Sequence, residues 1–169
     1  AKINVDGATH FAIDGVTILN ANSAGMMVYG ASYGTITNNI VRDTNADSIH
    51  MTGGSHHITV TGNRVENSGD DGIAVVSYGT SNVAHDITIS ANTVLNNNWG
   101  RNISVVGGDN VQITNNYISG NGAGLAGIYL ATEPAYDTAG VHNVQVTGNT
   151  VLNTGSSTMS QPASIAGIT

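Results

Sequence analysis

One short phrase recurs along this chain at nearly regular intervals and constrains the fold more than any other feature. Each copy has an aliphatic residue, two small or polar residues and an asparagine, and the five clear copies end at Asn39, Asn63, Asn92, Asn116 and Asn149. A second aliphatic residue follows two positions after each asparagine. A repeat of this length with alternating apolar residues is typical of a solenoid, in which each repeat forms one coil.

A second apolar segment can be aligned in every repeat. Its first inward residues are Ile3, Met26, Ile49, Ile73, Ile103 and Ile128, and a last copy is centred on Ile165. Three short strands and three turns consume about the number of residues that separates these positions, so successive coils stack at the ordinary inter-strand spacing of about 4.8 Å. We therefore expect an all-β solenoid of about seven coils that forms a single domain over residues 1–169.

Over essentially its whole length, this pattern resembles the right-handed parallel β-helix of the pectin-lyase-like superfamily. The resemblance implies three parallel sheets, with Ile49 and Ile73 in the first sheet and the repeated asparagines stacked at the turn between the other two. We assign those asparagines a structural role. No polar cap is visible at either end, so we expect a fragment of a longer helix, or ends that missing residues or another chain cover.

Charge and composition narrow the choice of partners. The net charge is −7 and only 9% of residues are charged, which argues against nucleic acid and membranes as partners. There is no cysteine, no apolar run long enough for a membrane span and no signal-peptide pattern. We expect an extracellular or cell-surface protein that binds a polysaccharide or oligosaccharide.

Three neighbouring coils carry charged residues at one stacked position just before the first-sheet strand. These residues are Asp47, Asp71 and Arg101, and Asp70 precedes Asp71. Stacked carboxylates are costly unless one is protonated, a cation is bound or an arginine pairs with them. We therefore take Asp47, Asp70, Asp71 and Arg101 as the candidate catalytic residues.

The same residues resemble the motifs of polygalacturonase-type hydrolases, glycoside hydrolase family 28. Asn45-Ala46-Asp47 and Gly69-Asp70-Asp71-Gly72 match its aspartate positions. The resemblance implies inverting hydrolysis without a cofactor, with Asp70 as general acid and Asp47 and Asp71 activating water. Arg101 stands where the family has histidine, and Gly127-Ile128-Tyr129 stands where it has Arg-x-Lys, so galacturonan specificity does not follow.

Two other functions remain open. In a polysaccharide lyase or epimerase, the aspartates would hold Ca²⁺ through oxygen ligands, and Arg101 would lie where pectate lyases have their arginine base. In a non-catalytic glycan-binding or structural β-helix, such as an adhesin or tailspike segment, the groove would bind sugar without turnover. Loss of activity in EDTA, or binding without activity, would distinguish these two from hydrolysis.

Insertions mark one side of the predicted first sheet as a groove. Residues 77–86 and 131–143 enlarge equivalent turns two coils apart, and residues 155–163 form a third, serine-rich excursion. Insertions on one face of a solenoid commonly mark its binding face. Alternation places small and aromatic residues on the outer face of the sheet. The predicted substrate contacts are His50, Trp99, Asn102, Tyr129, Glu133 and Tyr136.

Three histidines, His56, His85 and His142, fall at one equivalent position near the start of the second-sheet strand. We expect a stack along the turn. The sequence names no fourth ligand, so no residue is assigned to a metal.

Overall fold

The computed structural model describes residues 1–155 and 166–168. Its strands form three parallel sheets, and the chain visits the sheets in turn. The first sheet contains β1 (Ile3–Asp6), β4 (Met26–Tyr29), β7 (Ile49–Thr52), β10 (Ile73–Val76), β13 (Arg101–Val106), β16 (Ala126–Ala131) and β20 (Ala166–Ile168). The second contains β2 (Ala12–Asp14), β5 (Ser32–Thr37), β8 (His56–Thr61), β11 (His85–Ser90), β14 (Gly108–Thr114), β17 (Val141–His142) and β18 (Gln145–Thr147). The third contains β3 (Thr17–Ala21), β6 (Ile40–Thr44), β9 (Arg64–Ser68), β12 (Thr93–Leu95), β15 (Tyr117–Ser119) and β19 (Thr150–Leu152).

The coil register follows the apolar repeat. Ile49 pairs with Met26 on one side and with Ile73 on the other, and Ile73 pairs with Ile103. The inward side chains of all three sheets form one core of Ile, Val, Met and Ala with almost no solvent exposure. The predicted parallel β-helix is therefore confirmed. Among the described residues no helix is long or apolar enough to cross a membrane.

The repeated asparagines form a buried ladder at the turn between the second and third sheets. Asn63 Nδ2 donates to Asn92 Oδ1 at 2.9 Å, and the Asn63 backbone amide donates to the same oxygen at 2.9 Å. The same pattern links Asn39 to Asn63, Asn92 to Asn116 and Asn116 to Asn149. These side chains satisfy turn groups that would otherwise be buried without partners, which confirms their structural role.

The first two insertions meet above the first sheet. Tyr78 and Thr138 form an antiparallel bridge, and the Gly79 amide donates to the Asp137 carbonyl at 2.6 Å. The second insertion includes a short 3-10 helix, Pro134–Tyr136. Both insertions therefore lie on one side of the molecule, as predicted, and together form a wall.

Gly107 lies in the intervening coil, beneath the junction of the two insertions. A Cβ atom there would approach the carbonyl oxygen of Ala139 to 2.9 Å and that of Ser77 to 3.1 Å. The backbone φ of Gly107 is +79°, in the region that favours glycine. The close crossing of the insertions therefore depends on a residue without a side chain.

One detail of the predicted register is wrong. In the last coil Ile168 pairs with Ile128, so Ile168 occupies the place predicted for Ile165. Ile165 and residues 156–163 of the third excursion lie outside the described residues. The error in the last coil arises because the sequence offers two isoleucines, Ile165 and Ile168, within a few residues.

The three histidines do occupy one equivalent position, as predicted, because His56 pairs with His85 and Asp109 pairs with both His85 and His142. Asp109 separates His142 from the other two, so the direct ring stack is between His56 and His85.

Candidate functional site

A groove of about 740 Å³ runs over the first sheet beside the wall of insertions. The sheet supplies its floor, and the two insertions and the turn at Trp99 supply its sides. Nearly all predicted site residues line it, together with several that the sequence did not indicate. The lining comprises Asp47, His50, Asp70, Asp71, Val76, Tyr78, Trp99, Arg101, Val106, Leu125, Tyr129, Thr132, Glu133, Pro134, Ala135, Tyr136 and Thr138.

Asp47, Asp71 and Arg101 form the predicted column at the corner that leads into the first sheet. Asp47 Oδ1 accepts a hydrogen bond from the Asp71 amide at 2.8 Å. Asp71 Oδ1 accepts one from the Arg101 amide at 2.7 Å. The two carboxylates therefore accept hydrogen bonds from backbone amides of the next coil, as the ladder asparagines do at the corner between the second and third sheets. Each carboxylate leaves its second oxygen for other partners.

Asp71 is buried, with 4% of its surface exposed. Its second oxygen accepts a hydrogen bond from the Ser104 hydroxyl at 2.5 Å. Burial, assisted by the charges of Asp47 and Asp70, raises the pKa of Asp71 to about 7, although Arg101 opposes the rise. With both oxygens bonded and little access to solvent, Asp71 is poorly placed to activate a water molecule, which argues against that predicted role.

Asp70 lines the groove, and one of its carboxyl oxygens is buried. Its Oδ1 atom has no hydrogen-bond partner among the described residues. Partial burial raises the pKa of Asp70 above its ordinary value, and the nearby Asp47 carboxylate adds to the rise. A Cβ atom at Gly100 would come within 2.5 Å of this oxygen, so the oxygen packs closely against Gly100 and a side chain there would displace it.

Asp47 and His50 form a closely bonded pair on the groove floor. Asp47 Oδ2 contacts Nδ1 of His50. Asp47 lies in the corner before β7, and His50, three positions later, lies within β7. His50 is 7% exposed and lines the groove. A carboxylate bonded to Nδ1 orients the imidazole and leaves Nε2 for a second partner.

Arg101 is enclosed by acidic and aromatic partners. Its guanidinium pairs with Glu133, lies 3.5 Å from Asp71 Oδ1 and is 4.2 Å from the Tyr129 ring centroid. Burial lowers its pKa, but the carboxylates of Asp71 and Glu133 outweigh that effect and leave the pKa raised. An arginine held in this charged state is a poor proton acceptor.

Two of the predicted aromatic contacts are exposed on the rim. Trp99 is 49% exposed and Tyr136, on the 3-10 helix, is 65% exposed. Tyr129 instead packs beneath Arg101, and the guanidinium of Arg101 covers one face of the tyrosine ring. Exposed aromatic rings beside a polar groove offer flat apolar surfaces on which sugar rings can stack.

Tyr78 lines the groove, although its sequence context did not predict it as a site residue. It is 55% exposed and lies in the first insertion. Partial burial and then the charges of Asp47 and Asp70 raise the pKa of its phenol. The insertion itself was visible as a departure from the repeat, but nothing in its sequence showed which side chain turns toward the aspartates.

The predicted position of Asn102 is wrong. Asn102 is 1% exposed, does not line the groove, and its Nδ2 donates to the Val94 carbonyl at 3.4 Å. The equivalent Ser48 is also buried and bonds Ser68 Oγ at 2.7 Å. Strand alternation fails here because Asn102, near the start of β13, points toward Val94 of the third sheet, as Ser48 points toward Ser68.

The aspartates are close enough to share a cation. One oxygen from each of Asp47, Asp70 and Asp71 can be chosen so that all three lie within 4.8 Å of one another. Oxygen ligands of this kind suit Ca²⁺. This separation is also shorter than the roughly 6.5–9.5 Å typical of the two carboxyl groups in inverting glycosidases, so it does not support inversion by these carboxylates alone.

The fold and the groove together define the class of protein as a three-sheet parallel β-helix with an acidic groove on one sheet. The chain matches the family model described as a right handed beta helix region over residues 1–168 and belongs to that family. The sequence matches no curated relative.

Two solved structures share this fold. One is the catalytic unit of the thermostable GH87 alpha-1,3-glucanase from Streptomyces thermodiastaticus strain HF3-3, with 24% identity and a TM-score of 0.71 over 85% of this chain and 28% of that chain. The other is the A-module of the mannuronan C-5 epimerase AlgE4 of Azotobacter vinelandii, with 18% identity and a TM-score of 0.55 over 98% of this chain and 49% of that chain. The chain therefore spans between about a quarter and a half of these proteins.

Proposed function

We propose that the groove hydrolyses glycosidic bonds of a polysaccharide, with Asp70 as the general acid. The observation that carries this proposal is the partly buried Asp70 carboxyl in the groove lining, one oxygen of which is buried without a hydrogen-bond partner. The raised pKa of Asp70 favours the protonated form that an acid needs at mildly acidic pH. Asp70 gives its proton to the glycosidic oxygen as the bond between that oxygen and the anomeric carbon breaks.

The Asp47–His50 pair supplies the base in this proposal. Asp47 fixes the imidazole through Nδ1, and Nε2 accepts a proton from the water molecule that attacks the anomeric carbon. The proton acceptor is then His50 Nε2, on the side of the imidazole ring away from Asp47. This position leaves more room for a water molecule than the short distance between the carboxylates does. His50, predicted as a sugar contact, therefore takes a catalytic role.

Asp71 and Arg101 act as positioning residues. Asp71 bonds the Arg101 amide and Ser104, while Arg101 joins Asp71 to Glu133 of the second insertion. This chain of contacts fixes the insertion relative to the aspartate corner. Charge on Asp71 adds to burial and to the other nearby carboxylates in raising the pKa of Tyr78.

Charge in the groove favours a neutral polysaccharide. Among the described residues that line the groove, the one basic lysine or arginine side chain is that of Arg101. Asp71 and Glu133 already pair with it. A uronate carboxylate would therefore meet Asp47 and Asp70 without a free cation to compensate. A neutral glucan avoids that repulsion and can stack on Trp99. A substrate of this kind also agrees with the proposed extracellular or cell-surface location.

The test is a panel of polysaccharides containing alpha-1,3-glucan, polygalacturonate and alginate, incubated with the chain and with Asp70→Asn. We expect reducing ends from the neutral glucan, unaffected by EDTA, and a loss of about 100-fold to 10,000-fold in Asp70→Asn. The exposed Asp6→Asn serves as the matched control. Unchanged turnover in Asp70→Asn would refute Asp70 as the acid, and sugar binding without turnover would support the non-catalytic alternative.

A lyase or epimerase remains the second candidate because the three aspartates can gather around one cation. In that case Ca²⁺ would neutralise a uronate carboxylate and acidify the neighbouring C–H bond. The pairing of Arg101 with two carboxylates counts against its predicted use as the base. Activity on alginate or polygalacturonate that disappears in EDTA, with or without an ultraviolet-absorbing product, would favour this candidate over hydrolysis.

A further inference from the structure

A second cluster of polar side chains lies at the start of the second sheet, away from the groove lining. It contains His56 and His57 at the start of β8 and His85 and Asp86 at the start of β11. His56 pairs with His85 in the parallel register, so the next residues, His57 and Asp86, are also neighbours. The cluster thus joins two adjacent coils, and none of its residues lines the groove.

A local backbone feature brings these four side chains to the same surface. His57 has a φ of +54° and Asp86 a φ of +53°, whereas residues of a regular strand have negative φ and alternate between the two faces. This left-handed residue interrupts the alternation at the strand start. Both His56 and His57 therefore reach solvent, and their Nδ1 atoms lie 2.8 Å apart.

The ring geometry holds the potential ligand atoms together. The rings of His56 and His85 are stacked, with centroids 4.7 Å apart and an interplanar angle of 2°. One nitrogen from each of His56, His57 and His85 can be chosen so that all three lie within 4.8 Å of one another. Asp86 Oδ2 is 2.7 Å from His85 Nδ1 and 3.6 Å from His57 Nδ1.

We propose that His56, His57, His85 and Asp86 form a binding site for Zn²⁺ that links the two coils. Three imidazoles and one carboxylate are a ligand set that tetrahedral zinc accepts, whereas Ca²⁺ prefers oxygen ligands alone. The nitrogen atoms contract around the ion through small side-chain rotations, to bonds of about 2.0–2.1 Å.

Neighbouring residues support this assignment of ligands. Asn110 Nδ2 donates to Asp86 Oδ1, which leaves Oδ2 directed at the histidines. The Tyr33 ring packs on His57, with centroids 4.7 Å apart. Residues that orient ligands in this way contribute to metal affinity. The site also anchors the end of the first insertion, because His85 and Asp86 are its last two residues and begin β11.

The test uses the untagged chain and zinc sulfate, measured by titration calorimetry, with cobalt(II) absorption to report tetrahedral coordination. We expect one equivalent bound, and a melting temperature that rises with zinc concentration because the ion binds only the folded state. His85→Gln and the more exposed His57→Gln should each bind about tenfold more weakly or worse. His142→Gln is the matched control, since it occupies the same column without the neighbouring histidines.

Equal zinc binding by His57→Gln, His85→Gln and His142→Gln would overturn the proposal, and so would a stoichiometry of several weak ions. Circular dichroism of each variant shows whether it keeps the β-helix. His57 is an exposed side chain, so its substitution keeps the test valid if His85→Gln fails to fold. Because the readouts are metal binding and melting temperature, they are independent of any activity on polysaccharides.

Discussion

The carboxylate of Asp47 accepts a hydrogen bond from the backbone amide of Asp71, one coil further along, at 2.8 Å. This contact places an acidic side chain in a structural turn and at the edge of the groove at the same time. Asp71 repeats the arrangement toward Arg101. The stacking of coils and the concentration of charge are therefore consequences of the same hydrogen bonds, so stability and site chemistry should change together.

Asp71→Asn should flatten the dependence of stability on pH. The pKa of Asp71 is raised from 3.8 to about 7, so between these pH values the folded protein holds a proton that the unfolded chain has released. The free energy of unfolding consequently falls as pH rises through this window, by at most about 1.4 kcal/mol per pH unit for one group. Urea denaturation at several pH values measures the slope.

Some of that slope should remain in Asp71→Asn because the pKa of Asp70 is raised as well. The control is Asp6→Asn, which alters an exposed carboxylate and should keep the slope of the parent chain. If Asp71→Asn and the parent gave parallel stability curves from pH 4 to 7, the raised pKa of Asp71 would be ruled out.

Arg101→Gln should move the alkaline limb of the activity profile to higher pH. The guanidinium lowers the pKa of both Asp70 and Asp71, so its removal lets the acid keep its proton further into the alkaline range. A shift of about one pH unit or more in the limb of kcat/KM is expected. Arg42→Gln, at an exposed arginine on the third sheet, is the control. A limb that stays in place or moves to lower pH would contradict the proposed acid.

Asn92→Ala should destabilise the solenoid without acting on the groove directly. Asn92 Oδ1 accepts two hydrogen bonds from Asn63, and its Nδ2 donates to the Val60 carbonyl and to Asn116. Removal leaves several buried groups without partners, at a cost of about 2–4 kcal/mol. Urea unfolding at fixed pH measures the loss. The exposed Asn22→Ala should change stability little, and an equally small effect at Asn92 would argue against the ladder as a source of stability.

Trp99→Ala should weaken oligosaccharide binding. The indole is half exposed at the edge of the groove, and loss of one aromatic stacking partner costs about 1 kcal/mol, or roughly fivefold in affinity. Calorimetric titration in the Asp70→Asn background measures binding in the absence of turnover. Tyr117→Ala removes a similarly exposed ring from the third sheet and is the control. Equal affinity in both variants would exclude Trp99 as a sugar contact.

Much of the fold could be predicted because a solenoid converts sequence period into spatial register. The spacing of the asparagines places Asn63 beside Asn92, and the same register places Asp47 beside Asp71. These relationships need only a count of residues per coil. Repetition made them visible, and the charged column was visible as a departure from it.

Other features depend on backbone geometry that a period does not encode. Asn102 points into a corner because alternation does not hold at the start of β13. His57 and Asp86 reach the surface because each adopts a left-handed conformation, which non-glycine residues adopt infrequently. Tyr78 turns toward the aspartates because its insertion pairs with another two coils away. None of these orientations follows from hydrophobic alternation alone.

One side of the groove consists of two insertions that contact each other across the short turn at Gly107. The shortness of that turn is then as important as the length of the two insertions. A few residues added at Gly107 would separate the two insertions and open the groove, although every side chain assigned to substrate or catalysis would be unchanged. Variation among related solenoids can therefore alter a binding surface from a position that never contacts the ligand.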